Sequence, residues 1–78
     1  MHAILAEVCE KHRVTPMELR SRRRVKILSW ARREFWYRCR LETPASYMEM
    51  GAFLGRFDHK TVIRAAKRHE ARLKETTP

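Results

Sequence analysis

An all-α domain is what this chain predicts. Apolar residues recur at spacings of three and four, turn residues are sparse, and no stretch alternates apolar with polar as a strand would. Seventy-eight residues suit one domain, spanning 1–78, that buries only about 60% of its unfolded surface and is modestly stable. Five helices fit.

The first carries Ile4, Leu5 and Val8 on one face and ends near His12 and Arg13. The second is short. Thr15 can cap it, Pro16 suits the first helical position, and Glu18 completes a capping box; its end falls near Arg20. Ser21 to Lys26 reads as an extended cationic arm, because its cations would repel one another in an isolated helix. The third helix runs from about Leu28 to Leu41, with Leu28, Ala31, Phe35 and Cys39 inward and Trp30, Trp36 and Tyr37 flanking. Thr43-Pro44 breaks it.

Ser46 and Glu49 form a second capping box and open a fourth helix that turns Tyr47, Met50, Gly51 and Leu54 to the core. Glycine in mid-helix costs about 1 kcal/mol relative to alanine, so a neighbouring backbone is expected close to Gly51. Gly55 is the helix stop. Asp58 caps a fifth helix whose Val62, Ala66, His69 and Leu73 face inward, His69 making one core hydrogen bond, before Lys74 to Pro78 frays. The fourth and fifth helices, joined through a glycine turn, read as a helix-turn-helix.

Eighteen Lys and Arg against nine Asp and Glu leave a net charge of +9, while a 44% hydrophobic fraction still supplies a core. Nine of those cations lie between Arg20 and Arg40, a stretch holding one acid, Glu34. Segregated charge of this kind suits a polyanion, most commonly nucleic acid. No run is long and apolar enough for a membrane span and no leader pattern opens the chain, so a cytoplasmic, nucleoid-associated protein is expected. Cys9 and Cys39 are too few for a disulfide framework and read as reduced, buried thiols. A zinc site from Cys9, His12 and Cys39 is the weaker reading, since these ligands lack paired spacing. Neither a carboxylate pair nor a nucleophile beside a base suggests catalysis, no Walker-type loop occurs, and no cofactor or small-molecule substrate is expected.

The segment from Gly55 to Arg64 runs from a glycine turn into a helix whose first turn carries Asp58, His59, Lys60 and Thr61. A helix presented to a major groove touches base edges mainly through its N-terminal residues, so donors and acceptors belong there. From Ser46 to Arg68 the chain resembles, without gaps, the C-terminal DNA-binding domain of the bacterial replication initiator DnaA. Glu49-Met50-Gly51 resembles that family's Glu-Ile-Gly, and Gly55 to Ile63 resembles its Gly-Gly-Arg-Asp-His-Thr-Thr-Val-Leu. Upstream, Ser21 to Arg24 resembles the family's basic loop.

The resemblance implies a Trp-repressor-like helix-turn-helix fold and binding of double-stranded DNA in replication or transcription control. It places Arg24 in the minor groove, sets Asp58, His59 and Lys60 against base edges in the major groove, and gives phosphates to Arg32 and Thr61. Further backbone contacts are expected from Arg22, Arg23, Lys26, Arg33, Arg40, Arg56 and Arg64. Three departures stand out. Phe57 replaces the family's arginine, Arg56 a glycine, and Lys60 a threonine; lysine prefers the O6 and N7 of guanine or a phosphate, so the initiator's own site is not assumed. A reader without the ATP-driven motor, as in phage or prophage regulators, is the implied type. Two rivals remain: a protein-interaction module displaying Trp36 and Tyr37, and an RNA or single-strand binder stacking bases on its aromatics.

Overall fold

Five helices form within residues 1–21 and 23–76, which the computed structural model describes: α1 (His2–His12), α2 (Pro16–Arg20), α3 (Lys26–Glu42), α4 (Tyr47–Gly55) and α5 (His59–Thr76). Their ends follow the local chemistry. Thr15 Oγ1 accepts from the Glu18 amide at 3.1 Å while Glu18 Oε1 accepts from the Thr15 amide at 2.9 Å, and Ser46 with Glu49 repeats the arrangement at 3.1 and 3.0 Å. These two boxes satisfy amides that would otherwise be orphaned at the helix starts. At the end of α3 the Thr43 hydroxyl donates to the Cys39 carbonyl at 2.7 Å, and Pro44 follows. Asp58 stands ahead of α5, its carbonyl accepting from the Val62 amide at 3.2 Å and its Oδ1 from the Lys60 amide at 3.4 Å.

Three boundaries differ from expectation. α3 begins at Lys26 rather than Leu28, with extended Val25 at its cap; only the last cation of the arm enters the helix, where repulsion from its neighbours is weakest. α5 continues through Lys74 to Thr76 instead of fraying, helped by Lys74 pairing with Glu70 one turn back at 3.4 Å. At the end of α4 the left-handed cap is Arg56 (φ 62°), with Gly55 at φ 124° just inside the helix.

α3 is the axis of the core, contacting all four other helices and α5 most extensively. Leu28, Ala31, Phe35 and Cys39 are buried, joined by Ile4, Leu5 and Val8 of α1, Leu19 of α2, Met50 and Leu54 of α4, and Val62 and Ala66 of α5. Trp36 is buried rather than flanking: its Nε1 donates to the Met50 carbonyl at 3.3 Å and its ring meets Phe57 edge to face at 5.2 Å. A tryptophan can be buried this way because its one polar atom finds an acceptor. Leu73, expected inward, is 41% exposed, because the last buried position of α5 is Ala66 and the apolar stripe outruns the core. His69 packs its ring on Tyr37 at 5.1 Å, but its Nδ1 is buried without a hydrogen-bond partner among the described residues, against the expected core bond.

Cys9 and Cys39 are free and buried, and burial pushes the Cys39 thiol up to about 11. Among the described residues no group of three His, Cys, Asp or Glu is placed to hold a metal ion, so Cys9, His12 and Cys39 form no zinc site. Nor, among them, is any helix long and apolar enough to cross a membrane.

Gly51 organises the turn between α4 and α5. Its carbonyl accepts from the amides of both Arg56 and Phe57, the latter at 3.0 Å. A Cβ built on Gly51 would collide with the Phe57 carbonyl, so the turn lies against the glycine's bare face. Gly51→Ala should therefore destabilise the domain by about 1–3 kcal/mol in denaturant titrations, the clash outweighing the gain in helix propensity of about 1 kcal/mol.

A buried carboxyl, Glu34, and a half-buried imidazole, His69, lead the acid response. Burial alone would raise the Glu34 carboxyl, but Lys11, donating at 2.9 Å, and His12 at 3.4 Å hold it below its ordinary 4.5. Burial holds His69 below its ordinary 6.5. Both folded values are depressed, so both contributions are present above the unfolded values and disappear as pH falls. Stability should decline as pH drops below about 6.5 and again below about 4.5. Thermal melts of His69→Leu should lack the first decline, and those of Glu34→Gln should show a smaller second one, the more exposed Glu42, Glu49 and Glu70 also being held low by their partners.

Candidate nucleic-acid interface

The arm after α2 is held in shape by a buried cation. Arg32, on α3 and only 6% exposed, donates from Nε to the Leu19 carbonyl at 2.9 Å, from Nη1 to Arg23 at 2.9 Å, and from Nη2 to Ser21 at 2.7 Å and Glu18 at 3.4 Å. The carbonyls of Glu18 and Leu19 lie at the end of α2, where Glu18 already accepts from the Ser21 amide at 3.2 Å and hydroxyl at 2.6 Å, so the guanidinium supplies the donor to Leu19, reinforces Glu18 and complements the helix dipole. The same guanidinium lies 5.5 Å from the centroid of the Phe57 ring, which belongs to the turn before α5. One side chain thus ties the end of α2, the basic arm and the helix-turn-helix together. Arg32 was expected on a phosphate; it is buried with its donors on protein carbonyls, and it also lines the cleft beside it.

Beside it opens a cleft of about 440 Å³ between the arm, α3 and α5. Its rim carries Arg24 of the arm, Arg33 and Ser29 of α3, and Thr61, Arg64 and Arg68 of α5; Arg32, Trp36, Phe57 and Ala65 also line it. Thr61, Arg64 and Arg68 stand three and four residues apart and so share one face of α5. No carboxylate is among the lining residues. Guanidiniums gathered around one opening repel one another unless an anion joins them, which makes the cleft an attractive field for polyanions.

The start of α5 adjoins the cleft through Thr61. Asp58, His59 and Lys60 are all exposed, with side chains 62% and 46% accessible for the first two. His59 Nδ1 lies 3.2 Å from Asp58 Oδ1, the same oxygen that accepts the Lys60 amide. Arg56 is exposed in the turn itself.

Not every expected contact gathers here. Arg40 is bridged to Glu70 of α5 at 3.0 Å and does not line the cleft, because the third helix carries it past the opening. Lys26 lines a separate depression with His12, Ile27, Trp30 and Arg72. Arg23 is exposed on the arm, its carbonyl taken by Arg32, and Arg22 lies outside the described residues. Arg68, by contrast, was missed. Its spacing from Thr61 and Arg64, on the face of α5 that lines the cleft, was the available signal.

An exposed helix start after a tight turn, backed by a basic cleft, defines a helix-turn-helix protein of the kind that docks on nucleic acid. Comparison with known proteins makes this specific. The chain belongs to the helix-turn-helix family of the bacterial DnaA protein, whose model matches residues 1–68. It is 39% identical over 66 residues to the chromosomal replication initiator protein DnaA of Citrifermentans bemidjiense, covering 85% of this chain and 14% of that protein. The DnaA protein of Geobacter sp. strain M21 matches to the same extent. That of Sphingopyxis alaskensis is 38% identical over 64 residues, covering 82% of this chain and 14% of its own. The chain therefore spans only about one seventh of the length of these relatives. No solved structure matches it at a significant level.

Arg32→Lys should lower stability by about 2–3 kcal/mol in denaturant titrations, since one ammonium cannot reach carbonyls on Leu19, Ser21 and Arg23 together and buried acceptors go unpaired. A multivalent oxyanion such as sulfate should raise the melting temperature more than chloride at equal ionic strength, because it joins the arginines of the cleft. That difference should shrink in Arg64→Ala and Arg68→Ala.

Proposed function

We propose that this protein binds double-stranded DNA in a sequence-specific manner, with the start of α5 in the major groove and the arm in the adjacent minor groove. The observation that carries the reading is the acid-free arginine cleft placed directly beside an exposed Asp58, His59 and Lys60. Phosphates of one strand cross the cleft, held by Arg33, Thr61, Arg64 and Arg68, with Arg23 and Arg56 adding charge at its margins. Arg24, on the arm that Arg32 shapes, enters the minor groove, where narrow A·T-rich sequence attracts an arginine. Asp58 accepts from a cytosine amino group while still capping the helix, and Lys60 favours the O6 and N7 of guanine.

The role is recognition in replication or transcription control, without catalysis, and by a site that need not match the initiator's. The family membership supports DNA as the partner. A protein-adaptor role drew on an exposed Trp36 and Tyr37, but Trp36 is 2% exposed and Tyr37 packs on His69. Base stacking on Trp36 loses its support for the same reason.

Competition at matched salt should rank the sequence-selected duplex well ahead of single-stranded DNA and RNA; equal competition by single strands contradicts the groove reading. Arg64→Ala and Arg68→Ala should each weaken binding to all duplexes alike and reduce the slope of log affinity against log salt by roughly one. Asp58→Ala should instead relax discrimination at one base pair by about 1–3 kcal/mol, and Arg24→Ala should weaken A·T-rich sites most.

A further inference from the structure

The depression beyond the cleft has a chemistry of its own. It measures about 410 Å³ and is lined by His12 at the end of α1, Lys26, Ile27 and Trp30 at the start of α3, and Arg72 in the C-terminal half of α5. Lys26, Ile27 and Trp30 project from α3 about a third of a turn away from Ser29, Arg32, Arg33 and Trp36, which line the cleft. The two sites therefore open in different directions.

The floor of the depression is apolar and its rim is cationic. Ile27 is 46% exposed beside the half-buried Trp30, and apolar surface rimmed by polar groups is the mark of a contact site. The Arg72 guanidinium lies over the Trp30 ring, 3.4 Å from its centroid, and Arg33 approaches the same ring at 5.5 Å. A guanidinium stacked on an indole directs its N–H groups outward in its own plane, the fork that a carboxylate engages in pairs. No carboxylate lines the depression, and Glu34, the partner of His12, is buried and engaged by Lys11 as well.

Nucleic acid does not account for this combination. Phosphates gain nothing from Ile27, and the face of Trp30 that Arg72 covers is closed to a stacking base. A peptide with acids around one large apolar side chain complements both halves: its carboxylates meet Lys26 and Arg72, and its apolar group packs between Ile27 and Trp30. Tryptophan and arginine are also the side chains that most often dominate the energetics of protein interfaces. We propose that this depression docks an acidic segment of a partner protein, one in which Asp or Glu flanks a large apolar side chain. The surface lies apart from the cleft, so occupancy of one leaves the other open, and the proposal does not depend on the DNA reading.

The probe is a displayed library of random dodecapeptides, panned against the whole protein at physiological salt, where exposed charge alone is largely screened. Selected peptides should carry Asp or Glu on both sides of a Leu, Ile, Phe or Trp. Their affinity, read by fluorescence anisotropy of the labelled peptide, should fall about tenfold in Ile27→Ser and in Arg72→Gln, and as much when the acids of the peptide become amides. Both positions are exposed, so neither variant threatens the fold. Arg64→Ala and Arg68→Ala should leave peptide affinity nearly unchanged, and Ile27→Ser should do the same for duplex DNA.

Peptides that lose affinity in Arg64→Ala and Arg68→Ala but not in Ile27→Ser occupy the cleft, and the proposal falls. Selection of peptides without the acid-and-apolar pattern, or of none, also overturns it. So does a loss of duplex affinity in Ile27→Ser as large as the loss of peptide, which would make the depression part of a nucleic-acid surface.

Discussion

The guanidinium of Arg32 is the interaction on which the rest of this structure depends. The arm that follows α2 offers carbonyl groups that no helix or sheet satisfies, and its one apolar residue, Val25, is exposed and does not hold it in place. Arg32 supplies donors to Glu18, Leu19, Ser21 and Arg23 from within α3. It also faces Phe57, and through that ring the turn before α5. A cation buried among carbonyls does the work that a strand partner or a disulfide would do in another small domain.

From that anchor the functional geometry follows. With the arm fixed on one side and α5 on the other, Arg24, Arg33, Arg64 and Arg68 open onto a common cleft, which the core could not have brought together by packing alone. Elsewhere α1 and α3 pair their charges: Glu34 with Lys11 and His12, and Arg38 with Glu7 and Glu42. Charge is thus neutralised away from the cleft and left unneutralised within it, the distribution a polyanion partner rewards. Gly51 sets the other boundary condition, since the turn that aims α5 lies where any side chain would stand.

Much of this was legible in the sequence where the signal is local. The two capping boxes at Thr15 and Ser46, the close backbone approach at Gly51 and the cap at Asp58 are decided within a few residues, and each has the expected geometry. The family likeness was legible for the same reason, being carried by a short run around the turn. What escaped depends on distant partners. Nothing near Arg32 in the chain announces that its donors will meet carbonyls nine to fourteen residues away, and the family resemblance suggested only a phosphate. Trp36 and Leu73 were misjudged because periodicity gives a face but not how far the neighbouring helix extends along it. Arg40 was expected on the DNA backbone, and its pairing with Glu70 of α5, away from the cleft, depends on a partner thirty residues on.

The most direct test of the account is an amide and side-chain NMR titration of the whole protein with its selected duplex. The account predicts that the largest shift changes fall on residues 58–64, on the Arg24 arm and on the guanidiniums of Arg33, Arg64 and Arg68, while α1 stays unmoved and the Arg32 guanidinium keeps its bonds to the carbonyls of Leu19, Ser21 and Arg23. Changes centred instead on α1 or on the depression around Trp30 and Arg72, with the start of α5 unaffected, would contradict it.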